Sequence, residues 1–260
     1  MVIKLIDSKI RQAFSDAALH YDVLTSLHKE IGRELVKKTI NIEKVDHILD
    51  IGMGTGWLTN KLKFYFPDSV IVGIDFAPGM IDAAKEKNDG FKIVQADCHQ
   101  LPFQENTFDL VISNLAFQWS DVRKSLKNVY DCLKPDGKFV ITMFGFKTFH
   151  ELFLSLEAVL PEGKKPLSIY RLPMHSHVSE IMQALRFKDV VCNYEYIKVR
   201  FPDMFSILRW IKNVGANSLE RNFFVGKELL EKADSYYNDH FKDKLGVYAT
   251  FEVLWLEGKK

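Results

Sequence analysis

Three glycines at alternate positions, Gly52, Gly54 and Gly56, follow an apolar run ending at Ile51 and precede a helical pattern opening at Trp57. Residues without side chains at such a junction let the backbone turn sharply and bring its N–H groups against a ligand. A dinucleotide fingerprint needs its third glycine where Trp57 stands, so a pyrophosphate fits poorly. Polar residues close the neighbouring apolar runs: Asp50 leads the glycines, and Asp75, Asp97 and Asn114 end the runs beginning at Ser69, Phe91 and Phe108. An ionised carboxylate only accepts hydrogen bonds, through two oxygens, and Asp75 is therefore suited to a ribose diol.

Those positions need a scaffold. Val45, Ile48, Leu49 and Ile51 mark a first strand, with further strands expected at 69–75, 91–97, 108–114 and 138–144. Helical spacing fills 57–66, 79–87 and 121–133, and Lys134-Pro135-Asp136-Gly137 reads as the turn that ends the last of these. Val- and Ile-rich strands joined by crossover helices imply a parallel sheet covered on both faces, which binds ligands at the carboxyl ends of its strands.

Outside that core, Ile10, Phe14, Ala17, Tyr21, Leu24, Ile31 and Leu35 recur at helical spacing within 9–40. Helices are expected at 149–160, 178–185, 203–214 and 227–241, with strands at 190–201 and 248–257. The expectation is an α/β, Rossmann-like chain with a seven-stranded, mostly parallel sheet whose last two strands form an antiparallel, hairpin-like pair. It reads as one domain over 1–260: a helical segment (1–40), the binding core (41–146), a helical cap with one strand (147–242) and the final strand (243–260).

With 35 basic and 34 acidic residues, the net charge of +1 offers no argument for nucleic acid. No apolar run reaches membrane-spanning length, and Met1-Val2-Ile3-Lys4 is no signal peptide. Cys98, Cys132 and Cys192 form neither a C-x-x-C pair nor a disulfide framework, which favours a reducing cytoplasm. His175-Ser176-His177 lacks a third ligand pattern, so no metal is expected.

The strand end Asp50-x-Gly52-x-Gly54-x-Gly56 resembles the first motif of S-adenosylmethionine (SAM) dependent methyltransferases of class I. Residues 14–22 (Phe-Ser-Asp-Ala-Ala-Leu-His-Tyr-Asp), 114–119 (Asn-Leu-Ala-Phe-Gln-Trp), 212–217 (Lys-Asn-Val-Gly-Ala-Asn) and 250–254 (Thr-Phe-Glu-Val-Leu) resemble the malonyl-acyl-carrier-protein O-methyltransferases of biotin synthesis. Met53 departs from the cysteine or small residue common there, with little consequence expected because the backbone does the binding. The resemblance implies strand order 3-2-1-4-5-7-6 and a partner, an acyl carrier protein bearing a malonyl thioester. SAM would methylate the free carboxyl, leaving S-adenosylhomocysteine and a masked end on which a pimeloyl chain is built. The expected cofactor-binding residues are Asp50, Gly52, Gly54, Gly56, Asp75, Phe76, Met80, Asp97, Cys98 and Asn114, with Cys98 offering its backbone N–H to adenine.

A malonyl carboxylate is already ionised at neutral pH, so the reaction needs alignment and exclusion of water rather than a general base. Tyr21 and Trp119 are the candidate walls around the methyl group, whereas Phe117 reads as core. Arg209 and Lys212 share one side of the helical pattern 203–214 and are candidates to hold the carboxylate and the carrier's phosphopantetheine phosphate, with Arg171 next. Two other readings stand beside this one: a methyltransferase of the same fold acting on a small polycarboxylate or a quinone ring carbon, and a SAM-binding regulator without catalysis. DNA amino-methyltransferases carry Asn/Asp-Pro-Pro-aromatic where this chain has Asn114-Leu115-Ala116-Phe117, which argues against that branch.

Overall fold

A computed structural model describes residues 2–161, 172–216 and 226–260, with side chains from Ser8 onward; Arg171 and Asn217 lie outside the described residues. The N-terminal helical pattern resolves into α1 (Val2–Leu24) and α2 (Ser26–Lys37), broken at Thr25, whose hydroxyl donates to the Tyr21 carbonyl at 2.7 Å. Strand and helix then alternate through β1 (His47–Ile51), α3 (Trp57–Tyr65), β2 (Val70–Asp75), α4 (Pro78–Glu86), β3 (Lys92–Gln95), β4 (Phe108–Asn114), α5 (Val122–Cys132) and β5 (Leu133–Phe144). Pro78 opens α4, where its missing N–H costs nothing, and the Asp121 carboxylate caps α5 by accepting from the Lys124 N–H at 3.1 Å. The remainder is α6 (His150–Val159), α7 (His175–Ala184), β6 (Lys188–Phe201), α8 (Met204–Asn213), α9 (Lys227–His240), β7 (Lys242–Asp243) and β8 (Gly246–Lys259).

The sheet runs β3-β2-β1-β4-β5-β8-β6, parallel as far as β5, with β8 antiparallel to both β5 and β6. This is the order the resemblance implies, and β6 and β8 form the expected antiparallel pair with α8 and α9 between them in the chain. Two details differ. β7 adds an eighth strand of two residues, too short to leave a pattern. Residues 134–137 are not a turn before β5 but a bulge within it: Phe108 pairs with Leu133 and Leu110 already with Lys138, with Asp136 at a φ of 62°.

Alternating strand residues feed two cores. Ile48, Ile71, Leu110, Ile112 and Val140 pack under α2, α3, α6, α8 and α9. Leu49, Ile51, Val72, Ile74, Val111 and Ile141 pack under α5 and α7. Each fully buried Leu or Ile stabilises the fold by about 1.5–3 kcal/mol relative to exposure. The expected cap is therefore divided between the faces. Val178, Ile181 and Met182 fix α7 against the α5 side, while α6, α8 and α9 cover the other. Among the described residues no helix is long and apolar enough to cross a membrane.

Candidate active site

The glycines act through the backbone. Gly52 and Met53 both donate to the Ile74 carbonyl at 2.9 Å, which swings the chain across the end of β2. Gly52, Gly54 and Gly56 have φ values of 73°, 57° and 81°, the left-handed region that a Cβ disfavours. The turn delivers the Gly54 N–H to Asp75 Oδ2 at 3.0 Å, while Asp75 Oδ1 accepts from the Ala77 N–H at 2.8 Å. Each oxygen keeps lone pairs for a ligand. Burial pushes the Asp75 carboxyl up to about 6, against the pull of those backbone donors.

One cavity at the carboxyl ends of the strands gathers Tyr21, Trp119 and the whole expected cofactor set except Asp50 and Gly56. Asp50 is fully buried beneath the loop, where Oδ2 accepts from the Thr59 hydroxyl at 2.6 Å and pins α3 to β1. A Cβ on Gly56 would stand 3.0 Å from the Phe91 ring and 3.4 Å from Ala84, so this glycine serves close helix packing rather than ligand approach. Gly54 is different: its Cβ would meet nothing nearer than Tyr21 Cε1 at 3.9 Å and would project into the cavity. The loop is shaped to leave that space opposite the buried Asp75 carboxylate.

Asp50 Oδ1 is buried with no partner among the described residues, and burial pushes this carboxyl from the ordinary 3.8 up to about 7. Between those values the native state holds a proton that the unfolded state has released, so stability falls as pH rises through the window. Asp50→Asn retains an oxygen for Thr59 and removes the buried charge. Thermal melts are expected to show the variant gaining stability at about pH 8 relative to about pH 4, by roughly 2–4 °C per kcal/mol of charge burial relieved. Parallel melting curves for variant and wild type at both pH values would contradict this.

The aromatic wall is built from α1. Phe14 stands edge-on to Tyr21, Phe76 and Trp119, at 6.5, 6.4 and 5.4 Å between ring centroids. Its spacing with Ile10 and Tyr21 was visible in the sequence as an apolar helical stripe, but nothing there said what the stripe faced. Asp22 ties this helix down. Its carboxylate accepts from the Thr55 hydroxyl at 2.8 Å and from Lys87 at 2.5 Å, with Lys29 at 3.6 Å. Burial opposes the Asp22 charge, yet the bonds from Lys87 and Thr55 and the field of Lys29 hold its carboxyl below the usual range. Burial, reinforced by the charges of Asp75 and Asp22, raises the Tyr21 phenol well above its ordinary value, so it stays protonated.

Behind Tyr21 lies His28, which sequence reasoning did not single out. Its ring meets Tyr21, Phe144 and Trp210 at 6.0, 5.7 and 6.0 Å, and its buried Nδ1 has no partner among the described residues. Burial lowers it to about 4, leaving a neutral imidazole. Asn114 lines the cavity, but its amide is engaged by the structure: Nδ2 donates to the His28 carbonyl at 2.9 Å and Oδ1 accepts from Thr142 at 2.8 Å.

On the opposite side, Asp97 Oδ1 accepts from the His99 N–H at 2.8 Å, and interaction with His99 holds this carboxyl below the usual range. Asp97, Cys98 and His99 have ligand-type atoms within 4.8 Å of one another. Burial pushes the Cys98 thiol up to about 11, and His99 Nε2 accepts from the Asp121 N–H at 2.7 Å. The group is better suited to lining an adenine than to ligating a metal, which takes a thiolate. Arg209 and Lys212 are not brought to the cavity. Both are exposed, and Arg209 turns back to Ser206 Oγ at 2.8 Å and Asp203 at 3.5 Å, where Asp203 caps α8. Phe117 is fully buried in the α5-side core.

This sheet order, with a glycine turn aimed at an acid on the next strand, defines a class I SAM-dependent methyltransferase. Residues 49–141 match the family described as a methyltransferase domain. The YcgJ protein of Bacillus subtilis superposes with a TM-score of 0.61 at 18% identity, covering 88% of this chain and 97% of that one. A phosphoethanolamine N-methyltransferase 2 of Haemonchus contortus, solved with S-adenosyl-L-methionine, superposes at 0.55 and 19% identity, covering 88% of this chain and 52% of that one. Nearly full-length likeness narrows the class: a malonyl-[acyl-carrier protein] O-methyltransferase 1 of Ilyobacter polytropus is 31% identical over 97% of this chain and 94% of its own length. The chain belongs to the malonyl-[acyl-carrier protein] O-methyltransferase family.

Proposed function

We infer that the protein methylates the free carboxylate of a malonyl thioester carried on an acyl carrier protein, giving the methyl ester that primes pimeloyl synthesis for biotin. The observation that carries this reading is the aromatic enclosure: Tyr21, Phe14 and Trp119 wall the same cavity as the glycine turn and Asp75. Bound SAM supplies an electrophilic methyl on a sulfonium. Asp75 holds the ribose hydroxyls, and Gly52 and Gly54 leave room for the methionine end. Asp97 and Cys98 flank the adenine. The ring wall excludes water and fixes the acceptor in line with the methyl group.

No proton has to leave a carboxylate nucleophile, and the wall is built accordingly. The Tyr21 phenol and the Cys98 thiol are both held protonated by burial, so neither serves as a base near neutrality. Three free cysteines and a carrier-bound substrate support a cytoplasmic location.

The product is expected to be an ester, so methyl label transferred to malonyl-carrier protein should be released by mild alkali at the rate of a synthetic malonyl methyl ester. Label that survives that treatment would place the methyl on carbon or nitrogen and overturn the reading, even with SAM consumed.

A further inference from the structure

The 3₁₀ turn Phe117–Trp119 separates two cavities. Trp119 faces the cofactor cavity, Gln118 faces a second one, and Ser120 lines both. The second cavity lies between this turn, the first residues of α5 and the chain entering α7, with Phe146 beyond β5 at its wall. Its frame is fixed. Gln118 Nε2 donates to the Leu115 carbonyl at 2.7 Å, and the Phe146 N–H donates to the Pro173 carbonyl at 3.1 Å.

The lining combines apolar surface from Val122, Phe146, Pro173 and Ile181 with the polar groups of Gln118 and Ser120. Its charged groups are unequally engaged. Asp121 is occupied in capping α5, and His177 lies 3.9 Å from Glu180. Arg123 is exposed and has no ion-pair or hydrogen-bond partner among the described residues.

We propose that this second cavity receives the pantetheine arm of the thioester substrate, with the Arg123 guanidinium taking the arm's phosphate at the outer end and the acyl group passing Ser120 toward Trp119. The inference rests on the proposed function and adds the path by which the substrate reaches the methyl group. A pantetheine arm is a short chain of apolar carbons interrupted by two amides, which suits a mostly apolar groove holding a few polar groups. Its phosphate is an anion of fixed geometry that a planar guanidinium can bind through two parallel hydrogen bonds. Arg209 and Lys212, the cations suggested by helical spacing alone, line neither cavity.

The test uses the intact chain with three substrates: malonyl-pantetheine, which has the arm without phosphate, malonyl-coenzyme A, and malonyl-carrier protein. Arg123→Glu is expected to raise KM at least about tenfold for the two phosphorylated substrates, equivalent to about 1.4 kcal/mol, with malonyl-pantetheine and SAM affinity unchanged. Met174→Trp, at an exposed position on the groove wall, is expected to raise KM for all three at unchanged SAM affinity. Unchanged KM for the phosphorylated substrates in Arg123→Glu, an equal rise on malonyl-pantetheine, or wild-type KM throughout in Met174→Trp would overturn the assignment. Failure of the underlying reading is distinct: the wild-type protein would then turn over none of the three thioesters, and the groove assignment would fall with it.

Discussion

A Gly52→Ala protein is expected to bind no measurable SAM and to melt well below the wild type. Gly52 has a φ of 73°, and a Cβ there would stand 2.3 Å from the Ala116 Cβ, far inside contact distance. Left-handed backbone costs an alanine about 1 kcal/mol, and overpacking typically adds about 1–3 kcal/mol. The chain can relieve the clash only by moving the turn, which would break the paired Gly52 and Met53 bonds to Ile74 and withdraw the Gly54 N–H from Asp75. Calorimetric titration and a thermal melt measure the two consequences. The double variant Gly52→Ala with Ala116→Gly removes the opposing methyl and should recover part of the stability. A folded Gly52→Ala protein with wild-type SAM affinity would mean that the turn does not shape the cofactor site.

Asp75→Ala is expected to weaken SAM binding by more than tenfold, because hydrogen bonds to charged groups contribute roughly 1.5–3 kcal/mol each and the ribose diol loses both acceptors. The loss of the Gly54 and Ala77 partners adds loosening of the glycine turn. The pH dependence has a definite sign. With its carboxyl pushed up to about 6, Asp75 is ionised above that value and accepts both hydroxyls; below it the carboxyl becomes protonated and one oxygen turns donor. SAM affinity should therefore fall as pH drops through about 6 in the wild type. In Asp75→Asn that pH dependence should be absent from an affinity already reduced. Unchanged affinity in a folded Asp75→Ala protein would remove this residue from the cofactor site.

The parts of the site legible from the sequence are those where covalent geometry limits the choice of residue. Glycines at a strand-to-helix junction announce a left-handed turn, and an acid closing an apolar run announces a strand end, so Gly52, Gly54, Asp75, Asp97 and Asn114 were located without coordinates. Direction was less visible. Asp50 and Gly56 belong to the same motif, but one points under the loop to Thr59 and the other against Phe91 and Ala84. Motif membership alone does not say which face of the turn a residue presents.

Features that depend on tertiary packing were hidden. Phe14 has the same helical spacing as an ordinary core aromatic, and only the docking of α1 through Asp22 turns it into the cavity. His28 carried no local signal, since its environment comes from Phe144 and Trp210, both distant in the chain. Arg209 failed for the opposite reason. Its spacing with Lys212 was real, but Asp203 and Ser206 at the start of α8 lie within its reach and engage it there. The alternation announced the succession of strands and helices, but the strand order came from the resemblance, and the two-residue β7 left no pattern.

This chain is expected to transfer a methyl from SAM to the acyl carboxylate of a malonyl thioester. Mass spectrometry of malonyl-carrier protein incubated with the protein and SAM tests it most directly, with acetyl-carrier protein as the matched substrate lacking the carboxylate. One added methyl, located on the malonyl group, is expected, and none on the acetyl substrate. Equal methylation of both substrates, a methyl located on the carrier polypeptide, or no transfer by a protein that binds SAM would contradict it.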